Sequence, residues 1–215
     1  MMTDLHFSTL QEFQSAHSGA AVGELPSRTI FELTGADRQK FLHNFCTNDI
    51  KSLKSGEGCE ALMTSVQGKV LAHLIVWINQ DSLWIEADAT RREIIAKHLN
   101  KYLITEDVQI HDRTNDFRVI LACGTAIREV LAEGGLTVAD GSPLKHDQGV
   151  YREVPVAWQQ TRWTTLPNWT LRTASEDAEG LLNALTTAGA AFLSSPAIDA
   201  LRIEAGFPRD DIDFN

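Results

Sequence analysis

His43 and Cys46 stand three residues apart, the spacing that brings two donors to one side of a helical turn and makes half of a soft-metal site. No second Cys/His pair lies nearby in sequence, and the plainer reading is a packed Cys46. His73 sits within an apolar strand-like run and reads either as a general base or as a core or pocket-lining histidine. Asp210, Asp211 and Asp213 together could attract a hard cation, or they are solvated charges following a helix. Trp158, Trp163 and Trp169 could offer a stacking wall to a flat ligand, or fill a strand-rich core. No G-x-S-x-G, Walker loop, H-E-x-x-H or G-x-G-x-x-G is present.

The elements that must position these residues are legible mainly between residues 33 and 78. Thr34 and Asp37 have the spacing of a capping box, with Asp in place of Glu. Phe41, Leu42 and Phe45 then form a narrow apolar stripe. Gly56 and Gly58 turn the chain into one strand at 59–63, and Gly68-Lys69 turns it into a second at 70–78. Residues 10–17 read as a short first helix, 28–33 and 83–87 as strands. Thr90 and Glu93 form a capping box that predicts a helix with Ile94, Ile95, His98, Leu99 and Tyr102 on one side. Strands are expected at 108–111, 117–122, 154–158 and 169–172, a helix after Gly124-Thr125, and loop with at most a short strand across 137–150. Ser175 is placed to cap a further helix, and Ser195-Pro196 to open the last one, which Gly206 closes.

At 215 residues and 43% hydrophobic, the chain can bury a core as one domain or two closely packed lobes. A net charge of -10 argues against general nucleic-acid binding, because phosphate affinity needs clustered Lys and Arg. Cys46, Cys59 and Cys123 are odd in number and lack a C-x-x-C pair, which fits a reducing, cytoplasmic setting. The N-terminus has no basic start and apolar core of a signal peptide, and no run approaches the length that spans a membrane.

The order G-x-D-R-x-x-F-L-x-N-x-x-T-N-D-I, a Gly-rich turn, then G-K before an apolar strand resembles the folate-binding YgfZ/GcvT superfamily. It is carried by Gly35, Asp37, Arg38, Phe41, Leu42, Asn44, Thr47, Asn48, Asp49, Ile50, Gly68 and Lys69. A second match, Leu201-Arg202-Ile203-Glu204-Ala205-Gly206 followed by Ile212-Asp213, extends the resemblance over nearly the whole chain. The resemblance implies an α+β fold of two interleaved lobes with antiparallel sheets. Their approximate extents are 1–54 with 114–215, and an inserted lobe at 55–113.

It also implies tetrahydrofolate, or a related folate, as cofactor. Glu204 is then the carboxylate that accepts from the adjacent ring N–H and amino group of a pterin, with Arg202 in the same motif. Lys69 and Arg209 are the cations named for the anionic glutamate tail. Aminomethyltransferases of the superfamily carry an acid pair after the Gly-rich turn, where a carboxylate suits an amine and a developing iminium. Here that stretch is Leu71-Ala72-His73-Leu74, so Ala72 and His73 replace the acids and move the resemblance toward the YgfZ-type proteins. The K-G-C-x-x-G-Q-E motif of that group, and the superfamily's C-terminal β-barrel, would fall beyond Asn215, whether the sequence is a shortened form, a fragment or a branch without those parts, so a cysteine-dependent activity is not assigned to these residues. The implied role is an accessory protein in iron-sulfur protein assembly or repair and tRNA modification. Its partners would be iron-sulfur proteins or tRNA-modifying enzymes, with no direct nucleic-acid contact. The alternatives are a folate-dependent one-carbon transferase and a scaffold that has lost folate.

Overall fold

A computed structural model describes residues 2–26, 28–138, 144–210 and 212–213. In chain order the elements are α1 (Met2–Ser18), β1 (Ala21–Glu24), β2 (Arg28–Thr34), α2 (Arg38–His43), β3 (Gly58–Thr64), β4 (Val70–Ile78) and β5 (Leu83–Asp88). A 3-10 turn (Ala89–Arg91) leads into α3 (Arg92–Tyr102), followed by β6 (Gln109–Asp112), β7 (Phe117–Cys123) and α4 (Ile127–Glu133). The remainder is β8 (His146–Tyr151), β9 (Val154–Gln160), β10 (Asn168–Ala174), α5 (Ala178–Thr187), β11 (Ala191–Phe192) and α6 (Ser195–Ala205). The expected α+β class with antiparallel sheets is what the chain adopts. Among the described residues, no helix is long and apolar enough to cross a membrane.

The chain divides into two compact units. One comprises Met1–Pro26, Asp116–Pro143 and Asp147–Phe207; the other comprises Ser27–Asn115, Leu144–His146 and Pro208–Asn215. Residues 28–54, grouped on sequence grounds with the chain ends, belong to the second unit because β2 hydrogen-bonds to both β5 and β6.

The first unit is built on a six-stranded sheet in the order β11-β1-β7-β10-β9-β8. β11 runs parallel to β1, while β1, β7, β10 and β9 pair antiparallel in turn. Alternation sends Ile120, Ala122, Trp158, Trp169 and Leu171 to one face, where α4 and α5 cover them with Ile127, Leu131, Leu181 and Leu185. β1 lies so close to the segment before α6 that a Cβ on Gly23 would stand 2.4 Å from the Leu193 carbonyl oxygen, so only glycine fits there.

The second unit holds a five-stranded antiparallel sheet in the order β3-β4-β5-β2-β6. Its apolar face carries Phe31, Leu33, Ala61, Met63, Ala72, Leu74, Val76 and Ile85 against Phe41, Leu42, Ile95 and Leu99 of α2 and α3. The opposite register positions carry ionisable side chains: Glu60, His73, Glu86, Asp88 and Arg28.

Three helix starts differ from the sequence expectation, each because a stronger partner intervenes. Asp37 is the residue before α2, yet its carboxylate accepts from the Asp107 N–H at 3.0 Å, and Thr34 ends β2. Before α3, Asp88 caps the 3-10 turn, its Oδ1 accepting from both the N–H and the hydroxyl of Thr90, and α3 itself starts after Arg91 with no side-chain cap. Ser175 is engaged by Arg118 at 3.0 Å, and Asp177 stands before α5 with no side-chain cap. The expected loop at 137–150 contains the start of β8, while 139–143 fall outside the described residues.

Candidate ligand-binding site

The site residue with the clearest ligand chemistry, Glu204, lies in the last turn of α6 in the first unit. That helix begins as expected, with Pro196 in its first turn, but Ser194 is held by another residue. The N–H and hydroxyl of Ser194 both donate to Glu12 Oε2, at 2.7 and 2.5 Å. Burial would push the Glu12 carboxyl up, but these two bonds and one from Ser8 outweigh it and hold the group below the usual carboxylate range. The helix ends at Gly206 in the left-handed conformation (φ 68°), and Phe207 N–H returns to the Arg202 carbonyl at 2.9 Å. Phe207 then buries its ring against Trp163, centroids 4.5 Å apart.

This ending sets the directions of the motif's two charged residues. Arg202 turns inward and is 2% exposed, donating to Asp199 at 2.5 Å and to the Phe207 carbonyl at 3.2 Å. Glu204 faces outward with its side chain 37% exposed. Its Oε1 and Oε2 lie 3.3 and 3.2 Å from His17 Nε2, and Thr165 donates to Oε2 at 3.2 Å. His17 comes from the last turn of α1, where its Nδ1 faces the Phe13 carbonyl at 3.0 Å. Neither His17 nor Thr165 carries a local signal in the sequence. His17 is 187 positions from Glu204, and only the fold makes them neighbours.

Lys69 and Arg209 belong to the second unit. Lys69 is exposed in the turn between β3 and β4, which closes through Ser65 N–H to the Lys69 carbonyl at 2.8 Å with Gly68 at φ 77°. Arg209 reaches Asp88 at 3.3 Å, and its backbone N–H donates to Asp213 at 2.8 Å. The three tryptophans are all buried, Trp158 and Trp169 in the core of the first unit and Trp163 against Phe207. Burial excludes them as an exposed stacking wall.

The two positions that stand where an acid pair would be expected diverge in role. Ala72 packs into the apolar core of the second unit. His73 points to the other register, its Nε2 3.4 Å from Glu60 Oε2. Its backbone N–H donates to Asp210 at 3.3 Å. Asp210 is not a solvated charge after a helix: it is 4% exposed, with Oδ1 3.3 Å from Arg91 Nε. Burial pushes its carboxyl up, against the pull of the His73 N–H, Arg91 and His73, and Asp88 adds to the rise. Arg28–Glu86 at 2.8 Å and Arg209–Asp88 complete a group of buried ion pairs that the sequence does not reveal. Asp211 lies outside the described residues.

His43 Nδ1 lies 3.6 Å from Asp49 Oδ1. Burial, with Cys59 nearby, pushes the Cys46 thiol up to about 12. Among the described residues no group of three or more His, Cys, Asp or Glu side chains is arranged to hold a metal ion.

The GCVT N-terminal domain family matches residues 3–215. The chain is similar to the putative transferase At1g60990, chloroplastic, of Arabidopsis thaliana, with 24% identity over 193 residues, covering 89% of this chain and 45% of that protein. It is also similar to an aminomethyltransferase of Chloroherpeton thalassium, with 26% identity over 206 residues, 92% of this chain and 56% of that protein. The chain thus spans about half the length of these curated relatives. In structure it resembles the glycine cleavage system aminomethyltransferase T from Bartonella henselae, with a TM-score of 0.81, 17% identity, and coverage of 92% of this chain and 54% of that one. It also resembles a chain of the heterotetrameric sarcosine oxidase from Corynebacterium sp. U-96, with a TM-score of 0.61, 16% identity, and coverage of 90% and 92%. Those two likenesses establish the fold, and the match across 3–215 establishes the lineage: the chain belongs to the GCVT N-terminal domain family.

Proposed function

We propose that this chain binds tetrahydrofolate, or a related folate, as a YgfZ-like accessory protein rather than as an aminomethyltransferase. The observation that carries the reading is the division of labour at the end of α6. Arg202, the cation nearest in sequence, is buried against Asp199, so it does not neutralise Glu204, whose carboxylate faces outward. A partly exposed carboxylate, with His17 Nε2 and the Thr165 hydroxyl beside its oxygens, suits a heterocycle presenting a ring N–H and an adjacent amino group. In this reading Glu204 holds the pterin and Arg202 positions the helix end.

Bound tetrahydrofolate supplies the nitrogen atoms that carry one-carbon units. The chain's own residues offer little for transferring them. Ala72 is an inert methyl group in the core, and His73 faces Glu60 instead of supplying the acid expected for an aminomethyl donor. The proposed cellular role is therefore in iron-sulfur protein assembly or repair and tRNA modification, acting through partner proteins. The acidic charge of -10 favours an indirect effect on tRNA.

Calorimetric titration with tetrahydrofolate under reducing conditions tests the assignment. A hydrogen bond to a charged group contributes about 1.5–3 kcal/mol, so Glu204→Ala should weaken binding about tenfold or more. Binding unchanged by the substitution would keep folate and discard Glu204; no binding by the folded protein would leave the scaffold alternative. Turnover of an aminomethyl donor would restore the transferase.

A further inference from the structure

We infer that the outward face of α3 is a docking surface for an acidic, amphipathic helix of a partner protein, with Ile94, His98 and Tyr102 as its seam and Lys97 and Lys101 as its charged rim. The inference goes beyond the folate reading and does not depend on Glu204. Three observations carry it, all within the second unit.

The seam comes first. α3 turns Ile95 and Leu99 into the core of its unit. Ile94, His98 and Tyr102 stand at i, i+4 and i+8, so they form one line along the helix. Ile94 is 37% exposed, and His98 and Tyr102 are half-buried. Phe45, in the turn after α2, widens the line, its ring centroid 5.2 Å from His98 and 5.3 Å from Tyr102. His98 and Tyr102 lie 5.1 Å apart. The three rings hold one another in place, so they lose little freedom when covered.

The rim comes second. Lys97 and Lys101 are exposed one turn apart on the flank of this line, a spacing at which like charges oppose each other. Lys101 Nζ lies 5.1 Å from the Tyr102 ring centroid. Among the described residues neither lysine forms an ion pair, not even Lys97 with Glu93 one turn before it. Arginines of the same unit behave differently. Arg28 meets Glu86, Arg91 meets Asp210, Arg92 meets Asp112 and Arg113 meets Glu32. The charge of the rim is therefore left for something outside the chain.

The third observation is where charge falls, and it selects the occupant. The chain carries a net charge of -10, which disfavours nucleic acid, yet all of its lysines lie in the second unit and none in the first. Screening confines an encounter to the charges within about 10 Å of the contact. A helix that lays an apolar line along Ile94, His98 and Tyr102, with Asp or Glu beside Lys97 and Lys101, answers both parts of the face.

The test uses the full chain, isotope-labelled, with two designed probes: an amphipathic helical peptide whose line of Leu is flanked by Glu, and the same peptide with Lys for Glu. The acidic peptide should bind, shift the amide resonances of residues 94–102, and weaken as salt is raised. Lys97→Glu combined with Lys101→Glu should weaken it about tenfold or more and admit the basic peptide instead. Ile94→Ser should weaken the acidic peptide while leaving its salt dependence unchanged. Circular dichroism verifies that these surface variants fold. No binding by the acidic peptide, shifts confined to other residues, or equal binding of both peptides by wild type would overturn the proposal. Self-association of wild type that the double charge reversal abolishes would assign the face to a second copy. Preference for a single-stranded oligonucleotide at the same residues would assign it to nucleic acid. Either result also overturns the proposal. None of these changes touches Glu204, so the folate reading stands or falls by its own titration.

Discussion

The three cysteines show how residue identity and residue environment part company. A thiol must ionise to attack or to bind a soft metal, and burial opposes the charge. Burial pushes Cys46 to about 12, helped by Cys59, and Cys123 to about 12 by burial alone. Cys59 reaches about 11 through burial together with Glu60 and Asp49. The native protein should therefore resist iodoacetamide at pH 8 and label at all three positions only once unfolded. Mass spectrometry after a timed pulse checks this, and rapid native labelling of Cys46 would reopen a chemical role for it. At this scale the sequence was a partial guide. It singled out Glu204 by its motif but was silent on His17 and Thr165, whose relation to it exists only after folding. Asp210 read as a solvated charge because its partners Arg91 and His73 lie far back in the chain, His73 by 137 positions.

Elements were legible where their signals are local. α6 could be read from end to end because Pro196 suits only an early helical position and Gly206 readily adopts the left-handed turn that stops it. The starts of α2, α3 and α5 could not, since Asp37, Asp88 and Ser175 respond to Asp107, Thr90 and Arg118 rather than to spacing alone. The connection from β8 to β9 was hidden for a related reason. Its two central residues, Arg152 and Glu153, have φ of 43° and 76°, the positive pair that a tight two-residue hairpin turn demands and that Asn-Gly would announce. The conformation is imposed by the neighbouring helix end. Tyr151 is buried and donates to the Val130 carbonyl, Arg152 N–H donates to the Gly134 carbonyl at 2.9 Å, and Arg152 pairs with Glu133 at 3.0 Å. A Cβ on Gly134 would lie 2.0 Å from the Tyr151 ring, so that glycine is needed for close approach. Glu153→Gly should relieve the left-handed strain while leaving the Arg152 contacts in place. After allowing for the greater freedom of glycine in the unfolded chain, a gain of about 0.5–1 kcal/mol is expected. Urea unfolding measures it, and a loss of stability would show that Glu153 is not strained.

Over the whole molecule, the chain passes repeatedly between its two units, and α6 and the tail that follows it belong to different ones. Arg209 and Asp210, at the start of the tail, are held within the second unit by buried polar contacts. Asp210 accepts from the His73 N–H and faces Arg91, while Arg209 reaches Asp88. Tail position and sheet integrity in that unit should therefore respond together to Asp210. Replacing it with Ala removes the acceptor for a backbone N–H and the carboxylate beside a largely buried guanidinium, at a cost of about 2 kcal/mol or more. Asn keeps the acceptor and should cost less. The pH dependence separates these contributions. Burial raises the folded carboxyl above its unfolded value, so its stabilising share is complete below the unfolded pKa and is lost as pH rises through the folded one. Wild type should thus exceed Asp210→Asn in stability by more at about pH 4 than at about pH 7, whereas a carboxyl lowered by its ion pair would give the opposite trend. Urea midpoints of both proteins across that range decide the sign. A margin that grows toward neutral pH would mean that Arg91 and the His73 N–H dominate burial, and that the tail is anchored chiefly by attraction between full charges.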